Sequence, residues 1–128
     1  IPLRAGPAGA PSAAARLVPE TSYRQAVGDL TITLTTPGPF AAGQYATLTF
    51  EVTDTAGGAL VTDLEQYLGA QGHVAIVDEA GREFPRVHGS KKNTNFNTVF
   101  PRPGRYKLWA EFQRGGQIYL ASFVVEAR

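Results

Sequence analysis

The sequence contains no cysteine and no methionine among its 128 residues. The absence of cysteine excludes disulfide bonds, thiolate metal sites and cysteine nucleophiles. The absence of methionine means that Ile1 is not an initiator residue, and we expect it to be a processed or trimmed start. The chain therefore has no thiol chemistry, and a metal site would have to use imidazole or oxygen ligands.

The chain also lacks a net charge of any size and a long apolar run. It has 12 Lys and Arg residues against 11 Asp and Glu residues, which argues against a nucleic-acid partner because such proteins need a concentrated basic surface. No apolar stretch reaches the roughly 20 residues that cross a bilayer. We therefore expect membrane attachment only through a tether or a partner.

Residues 1–22 are rich in Ala, Pro and Gly and follow neither a helical nor a strand period. Four prolines remove backbone donors and oppose regular structure. We expect a flexible leader or tether over residues 1–22 and one folded domain over residues 23–128. The alternative is a terminal segment that becomes ordered only through contacts with another molecule.

Strict alternation of apolar and polar residues begins after Gly28. Leu30, Ile32 and Leu34 share one face, and residues 45–54 and 105–114 repeat the pattern. This period of two is typical of antiparallel strands with one buried face. Gly115 and Gly116 form a hairpin signal between the last two strands. Short strands separated by Gly and Pro predict an all-β, immunoglobulin-like antiparallel β-sandwich of about seven strands.

Two local features refine this prediction. Tyr106 precedes Leu108 by two residues at the start of the penultimate strand, which is where immunoglobulin domains place a tyrosine whose hydroxyl bonds back to the chain. Residues 63–69 (DLEQYLG) predict one short helical turn, capped by Asp63 and ended by Gly69.

The segments DLEQYLGAQGH (residues 63–73), FPRVH (84–88) and FPRPGRYKLWAEFQR (100–114) resemble the YtkA-like domains of exported bacterial proteins. The resemblance covers Gly28 to the C terminus. It implies an immunoglobulin-like sandwich that is exported to the periplasm or cell envelope, often in a copper-handling or respiratory-assembly context. Gln71 stands where methionine is usual, Arg86 where a histidine is usual and Gly89 where proline is usual, so His73 and His88 are the remaining imidazoles.

The two histidines are the candidate metal ligands. If residues 79–82 close a symmetric hairpin, Asp78 pairs with Glu83 and His73 stands directly opposite His88, with Cβ atoms about 4.5–5.5 Å apart. Two imidazoles at this distance suit copper or zinc. An oxygen ligand could come from Gln71 or from two nearby carboxylates, Asp63 and Glu65. The alternative is that both histidines are structural or solvated, and a one-residue change of register would separate them.

Trp109 is the candidate interface residue. Alternation places Tyr106 and Leu108 in the core and Trp109 on the opposite face, where a tryptophan is a good anchor for a protein interface. The alternative is that this side chain is covered by the leader or by the long middle loop, residues 55–72.

Two functions follow from these observations. The first is an accessory or binding module of the cell envelope that docks on a protein partner around Trp109. The second is a copper-binding protein centred on His73 and His88, either a metal carrier or a copper-only oxidoreductase such as a superoxide dismutase. The first needs no cofactor and no catalytic residue, and the sequence favours it.

Overall fold

The computed structural model describes residues 23–65, 71–90 and 93–128. In these residues, β-strands are the only regular secondary structure, and turns and loops join them. The predicted leader, residues 1–22, lies outside the described residues. Eight strands are present in the described part: β1 Arg24–Val27, β2 Leu30–Leu34, β3 Tyr45–Asp54, β4 His73–Asp78, β5 Val87–His88, β6 Asn95–Val99, β7 Gly104–Arg114 and β8 Gln117–Ala127.

The strands form two antiparallel sheets with the order of a constant-type immunoglobulin domain. One sheet has the order β1-β2-β3-β6-β5 and the other has the order β4-β7-β8. The first sheet without β1 corresponds to the ABED sheet of that fold, with β2, β3, β6 and β5 as strands A, B, E and D. The second sheet corresponds to the CFG sheet, with β4, β7 and β8 as strands C, F and G. The prediction of an immunoglobulin-like antiparallel β-sandwich is confirmed.

The additional strand relative to the seven expected is β1. Its four residues show no alternation of burial, so the sequence carried no period-two signal for it. Backbone pairing with β2 holds it in place, from Arg24 opposite Thr33 to Val27 opposite Leu30. A strand stabilised mainly by its ladder leaves little trace in the hydrophobic pattern.

The core lies between the two sheets and consists of the residues that alternation placed inward. On β7 these are Tyr106, Leu108, Ala110 and Phe112, all 2% exposed or less. Phe50 lies at the centre of an aromatic cluster, with ring centroids 5.7 Å from Phe96, 5.9 Å from Phe112 and 6.1 Å from Phe123. Rings at these distances add to the stability that area burial alone provides.

The expected tyrosine corner is present. The Tyr106 hydroxyl donates a hydrogen bond to the Arg102 carbonyl oxygen at 2.7 Å, and the Arg102 N–H donates back to the same hydroxyl at 3.2 Å. Leu108, two residues later, is fully buried. These bonds fix the turn that leads from β6 into β7.

The turns follow the predicted glycines. Gly115 and Gly116 have φ values of +60° and +76°, and they join Arg114 directly to its partner Gln117. Two positive φ values in a two-residue loop are the geometry of the hairpin turn that matches strand twist, and glycine adopts it without strain.

The helical turn predicted over residues 63–69 needs correction at its start. Glu65 forms an isolated antiparallel bridge with Gln113, so the described start of the expected helical turn is extended. The rest of that turn, residues 66–69, lies outside the described residues. The described residues contain no helix long and apolar enough to cross a membrane.

Candidate functional site

The outer side of the three-stranded sheet carries the tryptophan that the sequence singled out. Because the neighbours of Trp109 on β7 point into the core, Trp109 points outward and is half-buried. It stands opposite Ala75 on β4 and Ser122 on β8, and directly opposed residues share a face. We call this surface the Trp109 face: Ala75, Lys107, Trp109, Glu111, Ile118, Leu120 and Ser122.

Apolar side chains on the Trp109 face remain accessible. Leu120 is 45% exposed and Ile118 is 40% exposed. Both lie on β8, where Leu120 stands opposite Glu111 and Ile118 opposite Gln113. The face therefore combines an indole with aliphatic groups that water still contacts, the composition that protein interfaces favour at their centre.

Charged residues flank the indole on both sides along β7. The Lys107 ammonium lies 5.4 Å from the centroid of the Trp109 ring, within the range of a cation–π interaction. Glu111 lies two residues in the other direction and stands opposite His73. One end of the face is thus positive and the other end negative, which favours a single orientation of a charged partner.

The free edge of β8 is already covered. The Ser122 N–H donates to the Gln25 side-chain oxygen at 2.7 Å. Further along, the Phe40 N–H donates to the Glu126 carbonyl at 2.9 Å and the Ala42 N–H to the Arg128 carbonyl at 2.8 Å. Edge pairing with a foreign strand is blocked at these points.

The two histidines lie on strands of different sheets. His73 is half-buried and pairs with Glu111 on β7, whereas His88 is exposed and pairs with Asn97 on β6. The expected ladder between residues 73–78 and 83–88 is therefore absent, because each segment bonds to its own sheet. Both histidines point outward, since Val74 and Val87 pack against the core.

The expected register nevertheless persists at both ends of this pair of segments. The Asp78 N–H donates to the Glu83 carbonyl at 3.1 Å, and the Gln71 N–H donates to the Ser90 carbonyl at 3.0 Å. Both bonds belong to the register that sets position 73 opposite position 88. The segments therefore run side by side where the two sheets meet, and copper binding by the histidines stays a prediction.

The proposed oxygen ligands have other contacts. The Asp63 carboxylate accepts a hydrogen bond from Arg114 at 2.9 Å, and the Glu65 carboxylate accepts one from the Gly116 N–H at 2.9 Å. Both contacts fasten the middle loop to the β7–β8 hairpin. In the described part of the chain, no three His, Cys, Asp or Glu residues form a group that could hold a metal ion.

A groove that the sequence did not predict lies along the edge of β3 in the five-stranded sheet, between outward residues of this strand and the core side chains of Phe50 and Val52. Its volume is about 470 Å³. The groove opens where β3 changes its hydrogen-bonding partner. Phe50 bonds to Thr94, and two residues further along β3, Val52 bonds to Val61. The alternating threonines of residues 31–35 and 47–53 marked the outward side of this sheet, but only the folded middle loop produces the groove.

The polar lining of this groove consists of hydroxyl, amide and carboxylate groups. Thr35, Thr49 and Glu51 come from the outward side of the sheet. The apolar lining comes from β3 and from the middle loop: Phe50, Val52, Leu60, Val61 and Leu64. The remaining polar groups are those of Thr62, Gln71, Asn93 and Thr94. No lysine or arginine is among the described residues that line it.

These features define an immunoglobulin-like β-sandwich with two chemically different outer faces, one centred on an indole and one rich in hydroxyl groups. The chain belongs to the family described as a domain of unknown function (DUF8832), whose family model matches residues 25–128. The match includes nearly all of the eight strands. No curated protein and no solved structure matches the chain.

Proposed function

We propose that this protein is an exported accessory module of the bacterial cell envelope that docks on a protein partner through the Trp109 face. The observation that carries the proposal is the outward, half-buried position of the one tryptophan in the sequence, beside exposed Leu120. Tryptophan is enriched among the few residues that dominate binding energy at interfaces. The export part of the proposal rests on the resemblance to YtkA-like domains.

The charges on the Trp109 face define the chemistry of the partner. Lys107 and Glu111 lie on opposite sides of the indole, so the partner should present an apolar patch with an acidic group facing Lys107 and a basic group facing Glu111. The covered edge of β8 favours face-to-face contact over strand addition. Docking of this kind requires no cofactor and no catalytic residue.

Site-specific photo-crosslinking tests the proposal. A photoreactive benzoylphenylalanine replaces Leu120 or, as the matched control, Val99 on the other sheet, which is 40% exposed. In an envelope extract of the source bacterium, we expect a discrete protein adduct from position 120, not from position 99, and its loss when Trp109→Ala is added. Equal adducts from both positions would refute the assignment of the face.

Copper binding through His73 and His88 is a second candidate, favoured by the register that persists at both ends of the segments that carry them. Calorimetric titration of metal-free protein with Cu(II) tests it. A copper site predicts one ion per chain and loss of binding in His73→Ala and His88→Ala. Glu126→Gln is the matched control, because Glu126 lies on β8 and pairs with Arg128. Absence of stoichiometric binding would eliminate this candidate.

A further inference from the structure

We propose that the groove along β3 of the five-stranded sheet is a binding site for a neutral oligosaccharide. This site lies on a different sheet from the Trp109 face and does not depend on the docking function. The threonines alone are ordinary outward residues of a β-sheet. The groove, which the middle loop forms over β3, is what makes this face a candidate site.

The chemistry of the lining matches that of a sugar. Hydroxyl groups both donate and accept hydrogen bonds, as do side-chain amides, and the threonine, Gln71 and Asn93 side chains of the groove supply both kinds of group. Leu60, which is 62% exposed, and Val61 provide apolar surface for the C–H faces of a pyranose ring. A mixture of apolar walls and a few polar groups is typical of small-molecule sites, and 470 Å³ lies within their usual range.

The carboxylate of Glu51 determines the charge of the ligand. Glu51 is exposed on the outer face of β3, and in the described part of the chain its carboxylate takes part in no hydrogen bond or ion pair. A carboxylate of this kind accepts hydrogen bonds from vicinal hydroxyl groups. It repels an anionic ligand. A neutral glycan therefore fits this groove better than a uronic acid polymer.

The face continues beyond the groove along β3. Tyr45 is 70% exposed and lies four residues before Thr49, about 13 Å away at the rise of an extended strand. Between them, the Thr47 hydroxyl donates to the Asn97 side-chain oxygen at 2.9 Å, which orients the Asn97 amide. An amphipathic ring at one end and a polar groove at the other give room for an oligomer of several sugars.

NMR titration of the full, ¹⁵N-labelled chain tests the proposal, with cellohexaose and chitohexaose as neutral probes and oligogalacturonate as the anionic probe. We expect saturable shifts at Thr35, Thr49 and Glu51 with at least one neutral probe. We also expect amides of the Trp109 face to stay unchanged. No saturable shift with either neutral probe at millimolar concentration, or binding of oligogalacturonate alone, would overturn the proposal.

Variants separate a specific site from general adhesion. Thr49→Val keeps the shape of the side chain and removes its hydroxyl, and we expect binding to weaken roughly 2- to 10-fold, the effect of one neutral hydrogen bond. Thr33→Val is the matched control, since Thr33 shares the face but lies outside the groove. Tyr45→Ala should also weaken hexasaccharide binding without affecting folding. Equal losses in the two threonine variants would contradict the proposal.

Failure of this proposal and failure of the docking function can be told apart. Trp109→Ala should abolish the protein adduct and leave the sugar titration unchanged, whereas Thr49→Val should weaken sugar binding and leave the protein adduct unchanged. A sugar titration that depends on Trp109 would contradict the assignment of the groove.

Discussion

At the scale of single residues, the Tyr106 hydroxyl makes the most informative contact. It both donates to and accepts from the Arg102 backbone. We predict that Tyr106→Phe lowers the free energy of unfolding by about 1 to 2 kcal/mol, because one buried donor–acceptor pair is lost while the ring still packs. Urea denaturation measures this value. Tyr45→Phe is the matched control and should change nothing, since Tyr45 is 70% exposed.

The tyrosine hydroxyl groups also predict how stability depends on pH. Burial raises the pKa of Tyr106, and the hydrogen bond to Asp29, at 2.8 Å, raises the pKa of Tyr119. Because the folded-state pKa exceeds the unfolded value near 10, the stabilisation is complete below that pH and is lost as pH rises through the folded-state pKa.

We therefore expect the free energy of unfolding to fall as pH rises above about 10. Denaturant midpoints measured across this range check the prediction, and absorbance of tyrosinate reports the ionisation directly. In Tyr106→Phe the alkaline fall should be smaller than in the wild type. A free energy of unfolding that stays constant or rises over this pH range would contradict the raised pKa values of Tyr106 and Tyr119.

At the scale of elements, the approach of the middle loop to β7 depends on a glycine. A Cβ added at Gly72 would lie 2.6 Å from the Phe112 ring and 2.7 Å from the Glu111 carbonyl oxygen. We predict that Gly72→Ala lowers the free energy of unfolding by about 1 to 3 kcal/mol, since a core ring or the backbone must shift.

Gly57→Ala is the matched control for this prediction. A Cβ at Gly57 meets no atom within 4 Å, so the change should have almost no effect on stability. Thermal or urea unfolding of both variants measures the difference. Equal stability of Gly72→Ala and the wild type would mean that the loop does not pack against β7 as described.

The elements differ in how well the sequence predicted them. Strands with one buried face, such as β3 and β7, followed from alternation because burial dictates the period. The partners of β4 and β5 did not follow, because a local hairpin signal at Asp78 and Glu83 could not reveal that each strand bonds to a different sheet. β1 was missed because its residues show no alternation of burial.

At the scale of the whole molecule, one candidate site could be predicted from the sequence and the other could not. Trp109 could be placed on an outer face because strand alternation alone sets the orientation of its side chain. The groove could not be predicted, because Thr49 and Leu60 come together only when the middle loop folds beside β3. The pairing of His73 with Glu111 is likewise a consequence of long-range topology.

The two outer faces suggest a division of roles within one small domain. The Trp109 face offers apolar anchors between opposite charges, and the groove offers hydroxyl and amide groups without a described cation. Because the faces belong to different sheets, one molecule could contact a protein and a glycan at the same time. A substitution on one face should leave binding at the other unchanged, since the core separates them.

The most direct measurement of the central claim uses the single tryptophan as a probe. Incorporation of 5-fluorotryptophan gives one ¹⁹F resonance, because Trp109 is the one tryptophan in the chain. We predict that the detergent-solubilised envelope fraction shifts or broadens this resonance, and that Leu120→Lys, which places a charge beside the indole, prevents the change. A resonance that stays unchanged in the wild-type protein, or that changes equally in Leu120→Lys, would contradict docking through the Trp109 face.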